Sequence, residues 1–141
     1  MSKDPIAQAR QFISALPHCR ELNMSVDEVG PGLARISMPY DTRLIGDPRT
    51  GVLHGGAVSA LMDTCCGAAV LAHPAAGGAT ATLGLRIDYM RAATPGQTIH
   101  AVAQCHHVSR NVAFVRASTF DDDADAPVAT ASGSFTVERN L

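Results

Sequence analysis

The chain has 141 residues, enough for one well-packed domain but not for two. Eleven Lys and Arg against thirteen Asp and Glu give a formal charge of −2, which excludes the clustered basic footprint of a nucleic-acid binder. Trp is absent, and the 46% apolar fraction is that of an ordinary globular protein, with no run long enough to be read as a membrane span.

In chain order, residues 5–16 come first and place Ile6, Ala9, Ile13 and Leu16 near helical spacing. Asp4 is a candidate N-cap and Pro5 suits a first turn, while Pro17 is expected to end the helix. Nothing before it reads as a secretion signal. Residues 21–29 and 33–38 flank Gly30-Pro31-Gly32 and read as two strands around a turn. Residues 40–50, with Gly, Asp and Pro, read as a loop. A central helix is expected at about 56–72, closed by His73-Pro74 and a glycine pair. Strands follow at 79–90, 97–108, 112–120 and 128–137. They are separated by Thr94-Pro95-Gly96, by Ser109-Arg110-Asn111 and by the acidic turn Asp121-Asp122-Asp123-Ala124-Asp125, which is expected to be simply solvated. In the last strand Ala129, Ala131, Gly133, Phe135 and Val137 alternate with Thr130, Ser132, Ser134 and Thr136. That is period two, and the small residues call for a helix lying close on that face. The order predicts a single α+β domain over 1–141, an antiparallel β-sheet wrapped around one long α-helix.

The chemistry concentrates at Gly51-Val52-Leu53-His54-Gly55-Gly56 and the apolar run behind it. That run, AVSALMDTCCGAAVLA, is apolar nearly all round and so belongs in an interior. Its one acid, Asp63, calls for a partner or a task, and burial there is expected to raise its pKa toward base function. Glycines at a helix start let a ligand approach unpaired N–H groups at a positive dipole end. The combination points to an oxyanion site plus a carboxylate, that is, to acyl transfer. The four cysteines, Cys19, Cys65, Cys66 and Cys105, lack metal-type spacing and a basic neighbour. They read as free thiols in a reducing cytosol.

Spacing also bears on assembly. Gly55 and Asp63 are eight residues apart, so a straight helix separates them by roughly 12 Å. Groups acting on one carbon must come within about 3 Å of it. One helix cannot do this, whereas two helices related by a two-fold axis can, each giving Gly55 to one site and Asp63 to the other. A homodimer is therefore the expected minimal unit, with a homotetramer the expected assembly.

These residues resemble the hotdog fold, and within it the PaaI-like acyl-CoA thioesterase branch. The resemblance rests on Gly51-Val52-Leu53-His54-Gly55-Gly56 with Asp63 nine positions after His54. It extends to the run from Thr80 through Thr82, Gly84 and Tyr89 to Arg91, and to the Ser109-Arg110-Asn111 hairpin before Val112-Ala113-Phe114. It covers about residues 20–138. It implies hydrolysis of an acyl-CoA thioester without metal or cofactor, coenzyme A being part of the substrate. It implies that the Gly55 N–H polarises the thioester carbonyl and that Asp63 is general base or nucleophile. Thr82 would help to hold water and His54 to orient the loop or substrate. Residues 89–94 and 107–112 match coenzyme A-contacting stretches, so Gly56, Gly84, Tyr89, Arg91, His107, Ser109, Arg110 and Asn111 are implied in substrate binding, with Arg91 and Arg110 as phosphate partners. The chain departs from the family at Pro48, where many members carry Asn six residues before the His. Asp47 and Arg49 are the neighbours that could substitute.

Each residue also has a structural reading. Asp63 could bond a backbone group, the glycine pair could allow tight helix–sheet packing, and His54 could be a satisfied structural histidine. His106 and His107 point to opposite sides of a strand, which argues against a metal pair. Two other functions fit the same fold: a non-catalytic acyl-CoA-binding protein, and a hydratase or dehydratase acting on acyl thioesters.

Overall fold

The computed structural model describes residues 4–76 and 78–138. Helix α1 (Pro5–Ala15) opens with the Asp4 side chain accepting from the Ile6 N–H at 3.0 Å and buries Ala9 and Ile13. Pro17 does end α1, but it also starts a second helix, α2 (Pro17–Glu21). Leu16 before it is extended, as a residue preceding proline must be, and Pro17 takes the first helical position, where a missing N–H costs nothing. The strand expected from residue 21 therefore begins only at Ser25.

Strands β1 (Ser25–Gly30) and β2 (Leu33–Met38) pair across the Gly30-Pro31-Gly32 turn. The segment read as a loop is more ordered than its composition suggests. A 3₁₀ turn (Thr42–Leu44) leads into β3 (Ile45–Asp47), which pairs with β4 (Val52–Leu53) as a separate two-stranded sheet. Strands of two and three residues are too short to carry a periodic signal. Then come α3 (Gly55–Leu71), β5 (Thr82–Tyr89), β6 (Ile99–Val108), β7 (Val112–Phe120) and β8 (Ala129–Thr136).

The main sheet has the order β1-β2-β6-β7-β8-β5 and is antiparallel throughout. Helix α3 lies against β2, β6 and β7, with α1 beside it. Ile36, Met38, Leu61, Met62, Ile99, Val115 and Phe135 are buried between helix and sheet. The helix lies mainly on β2, β6 and β7 and meets β8 less closely than the small residues of β8 predict; those residues make room for neighbouring strand side chains instead. A side chain at Gly133 would come within 2.8 Å of Leu85 and 3.3 Å of Phe135, so glycine there lets both pack down.

One expectation fails. Helix α3 is not enclosed on all sides: Ser59, Asp63, Gly67 and Leu71, spaced by four, form a half-exposed stripe. The enclosed setting expected for Asp63 is not supplied by this chain alone.

Candidate active site

His54 is the N-cap of α3, and its imidazole Nδ1 accepts the Gly56 N–H at 2.8 Å. Its own N–H donates to the Leu44 carbonyl at 2.8 Å. Its backbone lies so close to Gly46 that a Cβ there would meet His54 Cα at 2.8 Å. The Ala57 N–H goes to the His54 carbonyl at 3.0 Å. The Gly55 N–H, first in the helix, is left without an acceptor among the described residues. The two glycines face different neighbours, Gly56 its own cap and Gly55 a side chain of β5. A Cβ on Gly56 would strike His54 Nδ1 at 2.8 Å, and one on Gly55 would touch the Tyr89 ring from 3.4 Å. Gly55 also lines a cleft of about 270 Å³ whose walls include Val58, Tyr89, Met90 and Ala93.

Asp63 has a partner of its own. The Thr82 hydroxyl donates to its Oδ1 at 2.7 Å, and Oδ2 has no hydrogen-bond partner among the described residues. Thr82 reaches the helix because β5 carries a bulge: Thr82 pairs with Phe135, but Gly84 pairs with Ser134, so Leu83 is an extra residue. Without it Leu83 would oppose Phe135 and face the helix, and Thr82 would point away. With it Leu83 is 59% exposed and Thr82 shares the helix-side face with Leu85, Ile87 and Tyr89.

The predicted residues thus fall into two groups at the two ends of β5. His54, Gly55, Gly56 and Tyr89 gather at one end; Asp63 and Thr82 meet at the other. Seven residue steps separate Thr82 from Tyr89, roughly 23 Å at the usual rise. The β6–β7 hairpin lies toward the Thr82 end, where Ala113 pairs with Phe135 and the Asn111 carbonyl accepts the Val137 N–H at 2.9 Å. Within it the Ser109 hydroxyl donates to the Val112 carbonyl at 3.0 Å, and the His107 and Phe114 rings lie 5.9 Å apart. Arg110 and Asn111 are exposed, and Arg110 forms no ion pair among the described residues. Gly84 leaves open space on the outer sheet face.

Two readings need correction. Arg91, expected to meet phosphate, spends all five guanidinium hydrogens inside the chain. They go to both oxygens of Asp121 at 2.6 Å, twice to the Ala126 carbonyl at 3.1 and 2.7 Å, and to the Ala92 carbonyl at 3.3 Å. Asp121, expected to be solvated with the rest of its acidic turn, is 4% exposed and also accepts from the N–H and hydroxyl of Thr94. No local pattern marks it, because its partner lies thirty residues earlier. The Arg91 guanidinium holds the Asp121 carboxyl well below the usual carboxylate range. The depressed value means that the pair stabilises fully above the unfolded carboxyl pKa of about 3.9 and that this is lost as pH falls through the folded value. Asp121→Asn should therefore lower Tm by about 10 °C at pH 7. The gap to wild type should narrow below about pH 4, as thermal melts across pH will read.

At the family departure, Pro48 sits in the β3–β4 turn, where the Asp47 carbonyl accepts the Gly51 N–H at 2.8 Å. Asp47 and Arg49, the possible substitutes, are paired with each other at 3.3 Å. The four cysteines are free and buried, and burial pushes the Cys65 thiol up to about 12. No reactive thiolate results.

Comparison with known proteins bears on family and fold. The family model described as thioesterase superfamily matches residues 50–127, the stretch from the glycine loop to just before β8. A crystal structure of a Pseudomonas aeruginosa protein is similar at 37% identity and TM-score 0.83, covering 95% of this chain and 99% of that one. The phenylacetic acid degradation protein PaaI of Thermus thermophilus, solved as a mutant, has 25% identity and TM-score 0.77 over 87% of this chain and 100% of that one. The PaaI protein of the E. coli phenylacetic acid degradation operon shares the fold at 19% identity and TM-score 0.85 over 99% and 97% of the two chains. No curated protein matches the chain.

Proposed function

The chain belongs to the thioesterase superfamily and has its hotdog fold, and on that premise we propose that it hydrolyses an acyl-CoA thioester to free acid and coenzyme A. The observation that carries this reading is the presence of two held groups, a Gly55 N–H whose peptide is fixed through the His54 carbonyl by Ala57, and an Asp63 carboxylate fixed by the Thr82 hydroxyl. The Gly55 N–H binds the thioester oxygen as negative charge develops on it. Asp63 takes a proton from water as that water attacks the carbonyl carbon. The C–S bond then breaks and coenzyme A leaves with the proton.

The two groups act together only in a dimer. Strand β5 ends the sheet, with its outer edge unpaired among the described residues and Leu83, Tyr89 and Met90 exposed on or beside it. Such an edge calls for cover. Antiparallel pairing with β5 of a second copy about a two-fold axis reverses the strand, bringing the Tyr89 end of one chain to the Thr82 end of the other. Gly55 then faces Asp63 of the partner subunit, twice per dimer. The uncovered Asp63 stripe of α3 supports the same arrangement. A homotetramer built from two such dimers is the assembly we expect. Arg110, in place of Arg91, is the phosphate partner. No described helix is long and apolar enough to cross a membrane, and four buried free thiols suit a reducing cytoplasm.

A free-thiol release assay over short, medium, long and aryl acyl-CoAs tests the activity. Release from at least one class is expected. Binding of acyl-CoA without release from any would favour the non-catalytic reading. Thr82→Val should lower kcat about tenfold by freeing the carboxylate to rotate, and Thr82→Ser, which keeps the hydroxyl, should restore most of it. Equal rates in the valine and serine variants would remove Thr82 from the site.

A further inference from the structure

Tyr89 has been read as a coenzyme A contact, but its hydroxyl is directed elsewhere. It donates to the Gly55 carbonyl at 2.7 Å, with the ring laid over the glycine. The same peptide unit is held at its other end, because its N–H, that of Gly56, goes to His54 Nδ1 at 2.8 Å. The preceding peptide, which carries the Gly55 N–H, is held through the His54 carbonyl by the Ala57 N–H at 3.0 Å. Both planes flanking the Gly55 Cα are fixed, although glycine is the residue whose backbone turns most freely. Tyr89 is itself fixed. Two residues on, Arg91 is clamped to Asp121, and the Met90 and Arg91 N–H groups both donate to the Val128 carbonyl, at 2.8 and 3.3 Å.

We propose that Tyr89 is a positioning residue. Its hydroxyl fixes the Gly55–Gly56 peptide on one side of the Gly55 Cα, and with the His54–Gly55 peptide held on the other side by Ala57 this keeps the turn, and so the Gly55 N–H, aimed at the thioester oxygen before substrate arrives. The proposal rests on the hydrolase reading above and adds what makes the donor preorganised. A donor already in place needs no reorganisation in the transition state, whereas one that must rotate into place gives up part of its value. His54 alone restrains only the N–H side of that peptide. Tyr89 restrains the carbonyl side and ties the turn to the end of a clamped strand.

Tyr89→Phe removes the hydroxyl and keeps the ring. It should lower kcat about 10- to 100-fold with KM changed less than about twofold, since aim and not affinity is lost. In an amide NMR spectrum of the unliganded protein, the Gly55 and Gly56 signals should shift and their exchange with solvent should quicken, with Tm unchanged. Unmoved glycine signals would overturn the proposal. So would a raised KM at constant kcat, which would make Tyr89 a substrate contact. If the wild type releases no thiol, the hydrolase reading falls, and the glycine signals still decide whether Tyr89 holds the peptide.

Discussion

Replacing Asp63 with asparagine should lower kcat by roughly 10²–10⁴-fold, the range a general base contributes. The substitution keeps shape and size, and the amide oxygen can still accept from the Thr82 hydroxyl, which now lies at 2.7 Å. What it removes is the ability to take a proton at the other oxygen. Because side-chain volume and the Thr82 bond are both retained, stability should change little. The loss should therefore appear as a fall in kcat with an unchanged melting transition. A variant that hydrolyses at the wild-type rate would take Asp63 out of the chemistry and return it to a structural role beside Thr82.

Gly55→Pro should cost about 10²–10³-fold in kcat, the loss typical of removing one oxyanion donor. Proline deletes the N–H itself, which no ordinary side-chain change at this position can do. The fold should accept it. Gly55 is the first residue of α3, where proline is favoured. His54 before it has φ −60° and ψ 134°, the extended conformation that a residue preceding proline must adopt. A Cβ at Gly55 would meet its nearest atoms, those of Tyr89, at 3.4–3.6 Å, an ordinary contact. Gly55→Ala fills the same space but keeps the donor, so it should stay within a few-fold of wild type. Kinetics of the two variants side by side separate loss of the N–H from loss of room. Equal damage in both would mean that Gly55 matters for space and that the oxyanion donor lies elsewhere.

Much of this was legible in the residues, for reasons that mark where legibility stops. The alternation from Ala129 to Val137 and the apolar run around Asp63 are local patterns, and they announced the sheet and the helix packed on it. The glycine pair and the acid were visible too. Their reasons were not, because those lie in residues far along the chain. Thr82 reaches Asp63 only through a bulge at Leu83, which is defined by pairing with Phe135 and Ser134 on β8. Gly56 is small because the His54 ring that caps the helix needs the space. Histidine is outside the usual set of N-cap residues, so no rule of sequence flags it as the cap of α3. Asp121 looked like one more acid in a polar turn, and only contact with Arg91 reveals a buried clamp. Arg91 hides its role in the same way: a basic residue after a strand looks free until its partner, Asp121, is known.

The claim at the centre of this account is that neither chain holds a whole site. The Asp63→Asn and Gly55→Pro chains, each nearly inactive alone, can be unfolded together in equal amounts, refolded, and assayed against wild type treated in the same way. A mixed dimer has one site with both defects and one with none. Random reassortment makes half the dimers mixed, so the mixture should recover about a quarter of wild-type thioesterase activity. If each chain held its own complete site, every site in the mixture would carry one defect. Activity that stays at the level of the separate variants would contradict the shared-site arrangement.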